Sequence, residues 1–366
     1  MSDAAYDIAI VGAGMAGASL AAELAPHARV LLLEAEEWPG YHATGRSAAF
    51  WVESYGGPLV QPLTAASGPW LEGHGFLRPR GGLNIAREAQ RGDLDRFEAE
   101  FAPSGVRLER WDRTAMEASV PGLRSEWVEA VYEPDSKDID VGAFHNHCLA
   151  RARSGGVVLR CRSALAGAER VAGGWRLTLS DGAQAEAALL VNAAGAWADA
   201  VAQAAGVRPL GIQPYRRTMV QLEVAPEPSD GLPVVLDIGG RFYFKPENGR
   251  LWLSPHDETP SLPCDAAPEE IDVALAIERF QQAVAWQVRR VEHKWAGLRS
   301  FAPDRLPVYG HDSREAAFFW FAGQGGFGIQ TAPAAARLAA QSLLGLPSDE
   351  MTHKIDGQRY DPGRFS

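Results

Sequence analysis

Three things are scarce in this chain. Cysteine occurs only at Cys148, Cys161 and Cys264, an odd number with no CxxC spacing. That excludes a disulfide framework and a cysteine-based zinc site, and no metal is expected; a reducing compartment fits. Basic charge is outnumbered: 35 Lys and Arg stand against 46 Asp and Glu, a net charge of -11. Such a surface excludes broad nucleic-acid binding, although a small anionic ligand needs only one or two local cations. No apolar run reaches the roughly 18–20 residues that span a bilayer. The N-terminal MSDAAYDIAIVGAG has neither a basic n-region nor a cleavable apolar stretch. A cytoplasmic protein is expected, with peripheral membrane contact left open.

What is present is core-forming material and a nucleotide motif. The chain has 366 residues, 46% of them hydrophobic, which exceeds one compact unit and predicts two domains. Tyr6 to Val11 reads as a short buried strand. Gly12-Ala13-Gly14-Met15-Ala16-Gly17 follows at once, then the helix-forming ASLAAELAPH, then the strand RVLLLE, which ends at Glu34 before Ala35. Strand, GxGxxG, helix, strand and an acid roughly 20 residues on make the dinucleotide-binding pattern. Gly12 allows the tight turn, Gly14 lets pyrophosphate approach the backbone, and Gly17 lets helix pack on strand. The helix start offers free N–H groups to phosphate, and Glu34 is placed to accept from a ribose. This unit alone suits NAD or FAD equally.

After Trp51 the βαβ character ends. Helices are expected over Leu94–Ala102, over Val141–Ser154 and over Ile271–Val288. Between them VVLRCRSALAGAERVAGGWRLTLSDGAQAEAALLVNAAG reads as strands with glycine turns, the last ending in small residues that let backbone approach a ligand. RRTMVQLEV, PVVLDI, RFYFKP and RLWLSP alternate as an antiparallel sheet does. FFWFAGQGGFGIQTAPAAARLAAQSLLG closes the chain as strand, glycine-rich turn and a helix beginning near Gln330. That turn would set bare N–H groups and a positive helix end against a planar ligand, which favours a reduced, anionic flavin. The expected fold class is α/β plus α+β. A discontinuous Rossmann-like cofactor domain (1–80, 140–210 and 293–366) would carry a substrate domain built on an antiparallel β-sheet (81–139 and 211–292).

The motifs IVGAGMAGASLAAEL, PGYHATGRSAAF, LTAAS, LVNAAGAWAD, VRPLGIQPYRR, FYFKP, WAGLRSFAPD and GQGGFGIQT cover nearly the whole chain. In them the sequence resembles the FAD-dependent D-amino acid oxidase and glycine oxidase superfamily, most closely its D-arginine dehydrogenase branch. The resemblance implies FAD, held noncovalently because no cysteine follows Cys264 where covalent members use one. It implies that PGYHATGRSAAF wraps the pyrophosphate and flavin, with Thr44, Gly45, Arg46, Ser47, Ala48 and Ala49 at the cofactor. Leu165, Ala194, Gly195 and Trp197 would join them, as would Gly325, Gly326, Phe327, Gly328, Ile329 and Gln330 of the closing turn. Phe50, Trp51 and Tyr55 would face the substrate, Tyr55 on a mobile lid. His42 would pack near the cofactor, with no local partner evident. Arg299 would clasp the substrate carboxylate in a two-bond fork. Arg217, with Arg216 as its rival, and Tyr243 would touch the same group, and the Gly326 carbonyl would accept from the amine.

The implied reaction is oxidative deamination of a D-amino acid. Hydride passes from Cα to flavin N5, and the imino acid hydrolyses to a 2-oxo acid and ammonia. The partners are an amino acid and an electron acceptor (O2, a quinone or another). Two departures from the D-arginine branch bear on the substrate. Gly81 and Gly82 stand where that branch has a glutamate for the guanidinium, and Phe50 stands where it has a histidine. Both are expected to make the pocket more apolar and the glycines to make it roomier, unless Glu53 or Glu72 restores a negative charge. Two other activities suit the same pattern. One is a glycine or sarcosine oxidase. The other is a 2-hydroxy acid dehydrogenase, which needs a positioned base such as His42, His256 or His293. A redox-inactive nucleotide-binding protein is the non-enzymatic alternative.

Overall fold

The computed structural model describes residues 6–365. The reading of the N-terminus rests partly on residues 1–5, which lie outside the described residues.

Two large sheets organise the chain. At the centre of the eight-stranded sheet, Tyr6–Val11 runs parallel to Val30–Leu33 on one side and to Gln184–Asn192 on the other. Val158–Arg160 extends it beyond Val30–Leu33. These central strands are near-continuous apolar runs because both faces are covered. On one face Ile8, Ile10, Val30 and Leu32 pack with Ala18, Phe144 and Ala335, from the helices Met15–Leu24, Val141–Ser154 and Gly328–Leu344. On the other, Ala9, Val11, Leu31 and Leu33 meet Trp175, Ala198 and Val308. Gln184–Asn192 changes partner along its length. Its first half pairs antiparallel with Gly174–Leu179, its second half parallel with Phe318–Ala322.

The spine of the ten-stranded sheet is the antiparallel pair Gln213–Ala225 and Gln287–Phe301. Its apolar face, including Val220, Leu222, Phe244, Leu251 and Leu253, packs on Val273, Ala276 and Phe280 of the helix Glu270–Ala283. Each fully buried Val, Leu or Phe side chain of this set contributes roughly 1.5–3 kcal/mol. A small third sheet joins Phe50–Trp51 to Lys137–Ile139 and Leu77–Pro79, which sets Phe50 opposite Asp138.

Three features differ from the reading of the sequence. The helix expected to reach Val288 ends at Ala283, because Val284 turns extended (φ -130°, ψ 155°) and bridges Leu123. The strand that follows, Gln287–Phe301, runs through the boundary expected between residues 292 and 293 and pairs throughout with the second sheet. A helix also forms over Gln61–Gly73 despite Pro62 and Pro69. Pro62 sits in the first turn, where its missing N–H has no partner to lose. The helix then packs closely on Trp51: a Cβ on Gly68 would lie 2.8 Å from the indole. Among the described residues, no helix is long and apolar enough to cross a membrane, and no group of three or more His, Cys, Asp or Glu could hold a metal ion.

Candidate active site

A cavity of about 490 Å³ runs from the C-terminal end of Tyr6–Val11 to the ten-stranded sheet. At its first end the glycine motif is forced by space. Gly12 has φ +101°, and a Cβ there would lie 2.6 Å from the Ala193 carbonyl. A Cβ on Gly17 would lie 1.8 Å from the Gly12 carbonyl, so only glycine lets helix and strand touch. Glu34, almost wholly buried, accepts from the Ala13 N–H (3.0 Å) and the Glu36 N–H (3.0 Å). Thr44 Oγ1 accepts from the Met15 N–H at the helix start (2.9 Å). His145, which the sequence did not single out, donates from Nε2 to the Ala13 carbonyl (2.9 Å) and so braces the loop from behind. Burial and that bond act in opposite senses on its ring; burial prevails and holds its pKa below the usual histidine range.

The loop from Gly40 to Phe50 forms one wall. Arg46 lines the cavity, but its guanidinium is committed to protein. It donates to the carbonyls of Ala266 (2.8 Å) and Ala296 (3.0 Å) and to Asp265. It therefore ties the loop to the segments around residues 265 and 296. Ala49 takes a left-handed conformation (φ +58°), and its N–H donates to Ser47 Oγ (3.1 Å). His42 does have a partner: Nε2 lies 2.9 Å from Glu36, and the ring packs on Trp197 at 4.6 Å. Ala48, Ala194, Gly195, Trp197 and Leu165 all line the cavity.

At the other end Arg299, Arg217, Tyr243, Tyr55 and Phe50 converge. Arg299 Nη2 donates to the Tyr55 hydroxyl (2.6 Å) and Nη1 to Glu258 (2.8 Å), while its buried Nε has no hydrogen-bond partner among the described residues. Arg217 Nε donates to the Asp257 carbonyl (2.7 Å). Its Nη2 lies 3.5 Å from Glu258 and is likewise buried without a hydrogen bond among the described residues. Burial, then the nearby Arg299 charge, holds Arg217 below the usual guanidinium range. Arg216 points to the opposite side and pairs with Glu269 and Asp272, as the two-residue period of a strand requires. The Tyr243 hydroxyl donates to Met219 Sδ (3.1 Å), and burial pushes its pKa up. Phe50 sets its ring edge-to-face against Tyr55 and Tyr243, each at 5.7 Å.

The closing turn completes this end. Gly325, Gly326, Gly328, Ile329 and Gln330 line the cavity, and the helix starts at Gly328, slightly earlier than expected. Gln330 is fully engaged: Nε2 donates to the carbonyls of Val52 (3.2 Å) and Tyr55 (3.0 Å) and to Thr64 Oγ1 (2.9 Å). Its side chain serves the Tyr55 segment. Of the expected cofactor residues, Ala13, Gly17, Gly45 and Phe327 fall outside the lining; Phe327 packs instead with Val60 and Phe301. Residues at the site that the sequence did not single out include Met219, Leu298 and Cys264 in the lining, and Asp257 and Glu258 behind the arginines. Only the fold brings these together.

Two substrate expectations need correction. Gly81 and Gly82 do not enlarge the cavity. Gly81 (φ +76°) lies against Tyr132 and Gly82 against Ser136, so a Cβ would meet those side chains at 2.4 and 2.9 Å. Neither glycine is in the lining. Nor do Glu53 or Glu72 return a charge to it, since Glu53 binds Gln61 (2.7 Å) and Glu72 binds Lys137 (2.8 Å) outside. Among the candidate histidine bases, His293 stacks on Trp295. His256 packs edge-on to Tyr243, and its Nδ1 donates to the Gly240 carbonyl (2.7 Å). Burial, then the charges of Arg217 and Arg299, push its pKa down to about 3.

The residues present fit FAD. A glycine cradle that any Cβ would fill leads into one cavity, which runs past the small residues Ala48, Ala49, Ala194 and Gly325 to the two arginines. The glycine loop, Glu34, Thr44 to Ala49, Ala194, Gly195 and the closing turn are the groups that would hold it. The chain is similar to several known proteins. The D-amino acid dehydrogenase of Paramagnetospirillum magneticum is 28% identical over 243 residues, 64% of this chain and 55% of that protein. The L-2-hydroxyglutarate dehydrogenase of Salmonella houtenae is 25% identical over 222 residues, 56% of this chain and 51% of that one. The chain spans only about a third to a half of the length of the curated relatives it matches. Glycine oxidase from Geobacillus kaustophilus shares the fold (TM-score 0.85) at 22% identity, with 98% of each chain covered. The DAO family model of FAD dependent oxidoreductases matches residues 7–342, and the chain belongs to that family.

Proposed function

We propose that the protein oxidatively deaminates D-amino acids whose side chains are neutral and apolar. One observation carries this reading: two arginines, Arg299 and Arg217, line the same end of one cavity, beside the Tyr55 hydroxyl. Two guanidinium groups at one end of a cavity suit a substrate carboxylate, which accepts from both. Bound FAD supplies the hydride acceptor. The chain's own contribution is to hold the carboxylate on Arg299 and Arg217 and to orient Cα by the Gly326 side of the turn.

The side-chain preference rests on the wall. Phe50, Tyr55, Met219, Tyr243 and Leu298 line this end, while the lining carboxylates Glu34 and Glu36 belong to the nucleotide end. A guanidinium buried here would lack a partner. That supports D-Leu, D-Met and D-Phe over D-Arg. The D-stereochemistry is supported by the likeness to a D-amino acid dehydrogenase. A 2-hydroxy acid substrate is less well supported, because neither His256 nor His293 lines the cavity, and His42, which does, pairs with Glu36 at the nucleotide end.

The test is anaerobic mixing of the yellow holoprotein with single D- and L-amino acids, glycine, sarcosine and 2-hydroxy acids, following loss of the oxidised flavin band. Fast bleaching by D-Leu, D-Met and D-Phe, with D-Arg slower, is expected. Bleaching only by hydroxy acids, N-methyl amines or L-amino acids would overturn the assignment, as would a kcat/KM for D-Arg above those for the apolar substrates.

A further inference from the structure

Tyr55 was expected on a mobile lid, yet its segment is held from both sides. Gln330, from the closing helix, takes the Val52 N–H (3.2 Å) and donates to the carbonyls of Val52 and Tyr55. Glu133 holds the middle of the segment from the far side. It ends the strand Trp127–Glu133 of the ten-stranded sheet, opposite Gly82, and is only 1% exposed. One carboxyl oxygen accepts from the Glu53 N–H (2.8 Å) and the Ser54 N–H (3.4 Å), the other from Ser54 Oγ (2.5 Å). A buried carboxyl is costly unless its bonds serve something. All three of these bonds go to one turn, and the residue after Ser54 puts its hydroxyl on Arg299.

We propose that Glu133 is a positioning residue for carboxylate recognition: by holding Glu53 and Ser54 it fixes the Tyr55 hydroxyl against Arg299, and so sets substrate affinity rather than the rate of hydride transfer. The proposal rests on the reading of Arg299 as the carboxylate anchor. Its chemistry is specific. The turn presents two N–H groups and one hydroxyl, which a carboxyl can meet with its two oxygens. A glutamine keeps an accepting oxygen for the N–H groups, and its amide can donate to Ser54 Oγ. An alanine meets none of the three.

The experiment uses the FAD-loaded protein and two readouts. The first is the dissociation constant of 4-methyl-2-oxopentanoate, the product of D-Leu deamination, from its perturbation of the flavin absorption. The second is the limiting rate of anaerobic flavin reduction by D-Leu. Glu133→Ala is expected to weaken the oxo acid roughly tenfold while the limiting rate changes less than about threefold, and Glu133→Gln is expected to restore affinity to within about threefold. In a Tyr55→Phe background, Glu133→Ala should cost little more, because both act through one hydroxyl. Ser54→Ala reads the same effect, more weakly, should Glu133→Ala not fold. Unchanged affinity in folded Glu133→Ala or Ser54→Ala protein would overturn the proposal. So would an equal loss in rate, or full additivity with Tyr55→Phe. Arg299→Met separates the two ideas. If it leaves the affinity intact, the carboxylate reading itself fails; if it abolishes binding while Glu133→Ala does not weaken it, only this inference fails.

Discussion

A β-carbon on Gly326 would lie 2.2 Å from Nη2 of Arg299 and 2.4 Å from the Tyr55 hydroxyl. The missing side chain at Gly326 is thus the space in which arginine and tyrosine meet, and it couples the closing turn, the Val52–Tyr55 segment and the ten-stranded sheet at one point.

Gly326→Ala should therefore displace the Arg299 guanidinium without unfolding the protein. KM for D-Leu is expected to rise roughly tenfold or more, the cost of a disturbed charge-assisted hydrogen bond. FAD content and melting temperature should stay near wild type. A KM within twofold of wild type would show that Arg299 can move aside freely.

Arg217 and Arg216 are neighbours in sequence with opposite fates. Arg217→Met removes a buried donor from the cavity and should raise KM roughly 30-fold or more, as removing one partner of a buried charge pair does. Arg216→Ala removes a contact to Glu269 and Asp272 on the other side and should leave KM within about twofold. Steady-state kinetics on the two variants, run with melting curves, decide it. Equal KM values would mean the register argument is wrong.

Burial, then the Arg217 and Arg299 charges, push the His256 pKa down to about 3, which keeps its ring neutral between pH 5 and 9. His256 also adopts φ +57°, a conformation asparagine tolerates better than most residues. His256→Asn should keep amino acid oxidation within about threefold, with no titrating limb lost from the kcat/KM profile between pH 5 and 9. A hundredfold loss would restore a base role and, with it, the hydroxy acid reading.

Burial raises the Glu133 carboxyl to about 7, against the pull of its bonds from Ser54 and Glu53; the facing Glu53 charge adds to the rise. Glu53 in turn lies near Asp135 and Lys137, and its own pKa is raised by burial. For Glu133 the folded pKa exceeds the unfolded one, so the native state holds the proton more tightly. Its stabilising effect is complete below about pH 4.5 and is lost as pH rises through about 7. The full swing is on the order of 3 kcal/mol. Denaturant unfolding of wild type and Glu133→Gln at pH 5 and pH 8 should show the wild type losing more stability on going to pH 8. Parallel losses would place the titration elsewhere.

Much of the site was legible because its requirements are local. Gly12, Gly14 and Gly17 follow a strand and open a helix, and each must lack a Cβ for reasons confined to that turn. Glu34 closes the next strand. The strands from Gln213 to Ser254 announce themselves by alternation, and the family likeness located Arg299 and Tyr243. The helix Gln61–Gly73 was not read because two prolines obscure its pattern, although only Pro69 lies beyond the first turn. The reach of Ile271–Val288 was overestimated because apolar residues continue past Ala283, first into a bridge with Leu123 and then into a strand.

The sequence by itself determined the cofactor end, where a phosphate-binding turn is made from residues a few positions apart and its physics is that of one backbone. Only the tertiary structure decided the arginine end of the cavity. Whether Arg217 or Arg216 faces the cavity depends on sheet register. Whether Gly82 widens the pocket depends on Ser136 behind it. Whether Tyr55 is free depends on Glu133 and Gln330, roughly 80 and 275 residues away. Such contacts join chain segments whose spacing in sequence carries no trace of their meeting, because packing, not periodicity, brings them within hydrogen-bond reach.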